Sequence, residues 1–255
     1  MIYEMENRKR TEAIFGDWQE TMIWSCLQGV MGRIYADDMQ NPLSAMAILG
    51  DFCFFAGKPS RELIAYKPEW CEQGFIIAVP QNEQWADLLK DCYGNRAKRV
   101  VRYAIKKEAD VFDLGKLYEV VGSLPDEYTI KLIDEEIFDY CRKEEWCRDL
   151  VSQFADYQIY EKMGLGVVVL KDGIPVSGAS SYSVYSGGIE IEIDTKKEYR
   201  RKGLAFACGA GLILNCLNRG LYPSWDAQNL WSVALAEKLG YHFDHEYDAY
   251  EIQGY

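Results

Sequence analysis

The segment from Gly188 to Gly220 constrains this chain more than any other. It runs Gly188-Ile-Glu-Ile-Glu-Ile-Asp-Thr195, then Lys-Lys-Glu-Tyr, then Arg200-Arg-Lys-Gly-Leu-Ala205, and continues as an apolar stretch to Gly220. Its first part alternates with period two, which predicts a strand with Glu190, Glu192 and Asp194 on one face and Ile189, Ile191 and Ile193 on the other. The apolar stretch predicts a helix in which Gly209 and Gly211 permit close packing on a sheet. Between them lies a basic turn containing Gly203. A helix N-terminus offers unpaired N–H groups and a partial positive charge, and a glycine lets an anion approach the backbone. Strand, basic turn and helix in this order outline an anion cradle, with Arg200, Arg201 and Lys202 adding full charges.

Composition limits the partners. A chain of 255 residues, 49% apolar, buries one large core or two modest ones. A net charge of −12 disfavours nucleic acid and suits a cationic ligand such as an amine. No apolar run is long enough to span a bilayer, and the charged start, Met1-Ile-Tyr-Glu-Met-Glu, does not resemble a signal peptide, so a cytoplasmic protein is expected. Eight cysteines lie scattered without a C-x-x-C pair and with two histidines, His242 and His245, so packed thiols are expected and no metal site.

Element patterns place a boundary near residue 113. Before it, helices are expected over Trp18 to Gln28 and Trp85 to Tyr93. Strands are expected over Gly32 to Ala36, Ala45 to Ala56 with a break at Gly50, Phe75 to Val79 and Arg99 to Ile105. After it, helices are expected over Ile133 to Cys141 and Cys147 to Tyr157. A meander follows, with strands at Gly166 to Leu170, Pro175 to Val184 and the acidic segment, joined by turns at Asp172-Gly173 and Tyr185-Ser-Gly-Gly188. The helix to Gly220, a strand from Tyr222 to Ala227, a helix from Asn229 to Leu239 and a last strand from Tyr241 to Ile252 complete the chain.

From residue 166 the order is thus three strands, basic turn, helix, strand, helix, strand. It resembles the GNAT superfamily of acyl-CoA-dependent N-acetyltransferases, and two motifs carry the resemblance. The family's pyrophosphate loop, Q/R-x-x-G-x-G/A, is matched by Arg200, Gly203 and Ala205. Its downstream N-x-x-A-x-x-L-Y-x-K-x-G-F signature is matched from Asn229 to Tyr241, with Leu235, Lys238 and Gly240 in place. Either pattern alone arises by chance in many chains; both in the required contexts and order are specific. The phrase Tyr222 to Asn229 further resembles the subgroup that includes zwittermicin-resistance-type acetyltransferases.

The resemblance implies an α/β (α+β) fold. Its largely antiparallel, splayed sheet with flanking helices would occupy residues 114–255, preceded by a smaller α/β domain over residues 1–113. That smaller domain would lie on the acceptor side; its own order, the Phe75 to Val79 strand, the Trp85 helix and the Arg99 strand, suggests a degenerate copy of the same fold without the loop motif. The resemblance implies acetyl-CoA as co-substrate, with its pyrophosphate on the amides of Arg201, Lys202, Gly203, Leu204 and Ala205 beside Arg200. The pantetheine arm would pair with the backbone of Ile193, Asp194 and Thr195, and Asn229 and Ser232 would help hold the cofactor. The acceptor would be a small-molecule primary amine, and the protein a monomer or homodimer.

One departure matters. The family often places a tyrosine that protonates the leaving thiolate in the second motif, and Ala236 stands there. Tyr182, Tyr185 and Tyr241 are nearby substitutes, and CoA thiolate also leaves unaided. For the base, the residues themselves leave an acidic solvated face and a catalytic carboxylate both open. If a base is present, Glu192 comes first because both neighbours raise its pKa, Glu190 second, with Asp226 either in the cleft or capping the next helix. Two other classes remain: a catalytically silent acyl-CoA sensor, which the substituted tyrosine suits, and a tandem-domain aminoacyl transferase, which the negative charge opposes.

Overall fold

The computed structural model describes residues 1–255. It divides into two compact units, Met1–Arg102 with Glu246–Tyr255, and Tyr103–His245. The first unit runs through β1 (Tyr3–Glu4), α1 (Glu12–Phe15), α2 (Thr21–Gln28), β2 (Arg33–Ala36), β3 (Ser44–Leu49), β4 (Phe52–Gly57), α3 (Arg61–Ala65), β5 (Phe75–Pro80), α4 (Glu83–Tyr93) and most of β6 (Ala97–Ile105). The second runs through α5 (Leu114–Gly122), β7 (Tyr128–Leu132), α6 (Glu135–Lys143), α7 (Tyr157–Met163), β8 (Gly166–Lys171), β9 (Ile174–Tyr185), β10 (Gly188–Thr195), α8 (Leu204–Asn218), β11 (Tyr222–Ser224), β12 (Asp226–Ala227) and α9 (Leu230–Leu239). β13 (Phe243–Gln253) begins in the second unit and ends in the first.

The division therefore falls at Arg102 rather than at residue 113, and the last strand returns to the first unit. The reason is a hydrogen-bond ladder, in which Tyr250 pairs with Ala78 and Gln253 with Phe75 on β5. Such a return leaves no local mark in a sequence.

In the first unit the strands follow the order β1-β2-β3-β4-β5-β13-β6, with β4 and β5 parallel. The segment expected as one broken strand is a tight hairpin: Leu49 faces Phe52, and Gly50 turns the chain at φ 56°. Every residue of β3 is buried, so neither arm shows the alternation that would separate two strands from one long run. Trp85 of α4 anchors this core, its indole N–H donating to the Gly57 carbonyl at 2.9 Å and its ring 5.4 Å from that of Phe55.

In the second unit the sheet order is β11-β10-β9-β8-β7. One face carries α8. A Cβ on Gly209 would come 2.7 Å from Leu239 of α9 and only 3.5 Å from Ile193, and one on Gly211 would come 2.9 Å from Ile130 of β7, so the two glycines let α9 and β7 close in on a helix that lies over the isoleucine side of β10. The opposite face is covered by a 3-10 turn, Glu145–Leu150, and by α7: Leu150 lies against Gly178, and the Tyr160 hydroxyl bonds Ser180 Oγ at 2.8 Å. A continuous helix over Cys147 to Tyr157 does not form. The Asp156 carboxylate instead accepts the Ile159 amide at 2.8 Å and starts α7 there.

β10 then parts from its neighbour. Gly188, Ile189 and Glu190 pair in parallel with Tyr222, Pro223 and Ser224, but the chain turns away at the buried Trp225, and β12 pairs instead with Tyr103 and Ala104 of β6. Beyond Glu190, β10 keeps its ladder to β9 and has none to β11. A register shift at Glu190/Ile191 leaves Tyr182 as the extra residue on β9, a bulge at the level where the sheet opens.

Gly188 closes the base of this opening. A Cβ there would come 2.3 Å from both the Tyr185 hydroxyl and the Tyr222 carbonyl, and the second, being backbone, yields only if β11 moves. Gly188→Val is expected to cost about 3 kcal/mol, roughly a 10 °C fall in Tm for a chain of this size. Differential scanning calorimetry checks this, and adding Tyr185→Phe should not rescue it. No helix of the structure is long and apolar enough to cross a membrane.

Candidate active site

The basic turn and the opened edge of β10 meet at Thr195. Its hydroxyl bonds Ser177 Oγ at 2.7 Å, and its carbonyl accepts from Arg200 Nε at 3.1 Å, so strand end and turn are tied together. A short 3-10 turn, Lys197–Tyr199, follows, and Arg201 adopts φ 61°, a left-handed conformation that is strained for a side-chain-bearing residue. Gly203 is left-handed as well, at φ 80° and ψ 0°, and forms the N-cap of α8 without any side-chain cap. The first helical hydrogen bond joins the Ala207 amide to the Gly203 carbonyl at 3.1 Å, so the amides of Leu204, Ala205 and Phe206 precede the helical ladder. Space in front of Gly203 is open, nothing lying within 4 Å of where a Cβ would stand. Arg200, Arg201 and Lys202 are exposed around it. Left-handed residues, uncapped amides and three exposed cations are the features that an anion site requires.

The acidic row lies on the face of β10 away from α8. Glu190 is 5% exposed, while Glu192 and Asp194 are half-buried. Ladder register sets Glu190 across from Ser183, Glu192 across from Ser180 and Asp194 across from Gly178. Burial pushes the Asp194 carboxyl up to about 7, with Asp149 adding to the rise and Arg200 opposing it. This has a consequence for folding. From its ordinary value of 3.8 to about 7 the unfolded chain ionises this group while the folded chain keeps it protonated, so stability falls as pH rises through that window. Asp194→Asn is expected to flatten the dependence and to be about 2 kcal/mol more stable than the parent at pH 8, a value discounted for incomplete burial. Urea unfolding at pH 5 and pH 8 measures it.

The remaining candidates divide. The Asn229 carboxamide oxygen accepts the Ser232 amide at 3.0 Å and so caps α9, while Ser232 Oγ accepts from the Trp225 indole at 3.0 Å. Both have structural work at the junction where the sheet opens. Asp226 lies on β12, on the strand that has turned away from β10. Ala236 is fully buried, so nothing polar replaces the expected tyrosine in that slot. The Tyr241 hydroxyl donates to the Pro223 carbonyl at 2.6 Å, and Tyr185 bonds Ser224 Oγ at 3.2 Å. Burial pushes Tyr185 up to about 12 and Tyr241 well above its ordinary value, so both are reluctant acids. His242 and His245 are exposed, and Nδ1 of His242 lies 2.7 Å from Glu108. Burial pushes the thiols of Cys208 and Cys216 up to about 12, as suits packed rather than reactive groups.

A family model described as GNAT acetyltransferase matches residues 12–250, and the chain belongs to that family. Among curated proteins it is similar to an uncharacterized N-acetyltransferase of Bacillus subtilis, YdfB. The two are 28% identical over 284 aligned positions, covering 98% of each chain. Among solved structures it is similar to a GCN5-related N-acetyltransferase-like protein of Streptococcus suis. That match has 51% identity and a TM-score of 0.91, covering 97% of this chain and 99% of the other. A GCN5-related N-acetyltransferase of Kribbella flavida shares the fold at 16% identity, with a TM-score of 0.53 over 83% of this chain and 86% of that one. The protein is therefore an N-acetyltransferase of the GNAT fold, a family that uses acetyl-CoA.

Proposed function

We propose that the protein moves the acetyl group of acetyl-CoA to a primary amine of a small cationic acceptor, by direct attack of the neutral amine on the thioester. The observation that carries this reading is an opened strand edge whose end, Thr195, is tied through Arg200 to the turn that leads into an uncapped helix N-terminus. The amides of Arg201 to Ala205 would hold the pyrophosphate. The backbone of Ile193 to Thr195, lacking a ladder to β11, would pair with the pantetheine amides and aim the thioester into the opening. The acidic row supplies proton acceptors and an environment that attracts a cation, Glu192 acting first and Glu190 second. Thiolate would depart unaided: the Tyr241 hydroxyl donates to the Pro223 carbonyl, and burial makes Tyr185 a reluctant acid. The likeness of Tyr222 to Asn229 to zwittermicin-resistance-type enzymes favours an amine-bearing antibiotic among the acceptors.

The test is incubation with acetyl-CoA and a panel of polyamines, amino sugars, amine antibiotics and peptides. Thiol release is followed together with the mass of the acceptor. A gain of one acetyl group by one class of amine, with stoichiometric thiol, is the expected result. Tight acetyl-CoA binding without thiol release from any amine would favour the second reading, an acyl-CoA sensor, to which the buried Ala236 lends support.

A further inference from the structure

Beside the cradle stand two ammonium groups held over two aromatic rings, and one pair lies outside both motifs. Lys202 Nζ is 4.8 Å from the centroid of Tyr199, and Lys171 Nζ is 5.6 Å from that of Tyr128. Strand register brings the two pairs to the same end of the sheet. β8 ends at Lys171, which pairs with Tyr128 on β7 and with Ile174 across the hairpin. β9 starts there, and two residues on its Val176 carbonyl accepts the amide of Lys196, the residue that follows β10, at 3.0 Å. The hairpin tip thus stands alongside the turn that leads into Arg200 to Gly203. Electrostatics agrees: Tyr199 influences both Lys171 and Tyr128, and Lys202 influences Glu127.

A pyrophosphate in the cradle already has the α8 amides and its adjacent cations. A further ammonium group on a separate hairpin, Lys171, beside Lys202 at the edge of the cradle, suits a ligand that carries another anionic group a short distance beyond. CoA carries one, a phosphate monoester on its ribose. We propose that Lys171 and Lys202 form the subsite for the 3′-phosphate of CoA, so that the enzyme discriminates CoA from its 3′-dephospho form; this rests on the acetyl-CoA reading above. The aromatic rings limit where each ammonium group can go, which holds the pair ready. Glu127 holds Lys171 at 2.9 Å in an ion pair whose carboxylate side chain is 53% exposed. Such a pair is weak, and a phosphate dianion is the stronger partner, so the ligand displaces the carboxylate.

Calorimetric titration with CoA and with 3′-dephospho-CoA tests the assignment in the full chain and in Lys171→Met and Glu127→Gln. The parent is expected to bind CoA about tenfold more tightly than dephospho-CoA. Lys171→Met should remove most of that ratio while leaving dephospho-CoA affinity unchanged. Glu127→Gln should tighten CoA about threefold and dephospho-CoA not at all. Equal binding of the two nucleotides by the parent, or equal weakening of both by Lys171→Met, would overturn the subsite and leave the acetyl-CoA reading standing. Failure of the parent to bind either nucleotide would overturn both.

Discussion

Replacing Gly203 with glutamate is expected to lower acetyl-CoA affinity at least about 100-fold while leaving the protein folded. Its backbone, at φ 80°, is left-handed, so any side chain there costs about 1–2 kcal/mol. No packing cost adds to that, because a Cβ meets nothing within 4 Å. The glutamate would itself sit well at a helix N-terminus, which moderates the loss of stability. What it would destroy is the proposed site: a carboxylate would occupy the open space before the Leu204 to Phe206 amides, where the pyrophosphate is proposed to bind. Gly203→Ala separates the two effects, since it carries the strain without the charge and should lose about tenfold or less. Calorimetry on both variants, with thermal melts alongside, decides it. Undiminished binding by Gly203→Glu would remove the cradle from the account.

The second large effect is on the chemical step. Glu192→Gln is expected to lower kcat by about 100-fold to 1000-fold and to leave KM for acetyl-CoA within about twofold. The split follows from position. Glu192 is half-buried between the enclosed Glu190 and Asp194, across the ladder from Ser180, and the cofactor's proposed contacts are made by backbone groups from Ile193 onward rather than by its side chain. Glutamine keeps the shape and removes the proton acceptor. With the base gone, the remaining rate should rise with pH as more of the amine arrives neutral. An unchanged kcat would pass the role to another carboxylate of the row or to water.

The second unit was the more legible of the two, and the reason is chemical. Its meander alternates, Asp172-Gly173 forms the expected turn with Asp172 at φ 52° and Gly173 at φ 79°, and Asn229 and Gly240 bracket α9 as its N-cap and C-cap. Each is a local rule with a residue that obeys it. The first unit offered fewer such marks. β3 is buried throughout and β4 up to Gly57, so their hairpin reads as one strand, and α3, with five residues capped by Ser60, is too short to show a period. Non-local pairing was invisible altogether: neither the return of β13 to β5 nor the divergence of β12 from β10 follows from any nearby residue.

The same contrast holds at the site. The basic turn and the isoleucine face of β10 were legible because motif and alternation are local. That the Asp149 charge acts on Asp194 and that Lys171 comes alongside the turn depend instead on how distant segments pack and on strand register. A signal for Lys171 did exist, since the Asp172-Gly173 hairpin fixes where β8 ends.

Amide hydrogen exchange at the start of α8, with and without acetyl-CoA, tests the central claim most directly. The amides of Leu204, Ala205 and Phe206, which precede the first helical hydrogen bond, are expected to exchange rapidly in the free protein and to become protected by at least about tenfold on binding. Saturating acetyl-CoA that left these three amides unprotected would contradict it.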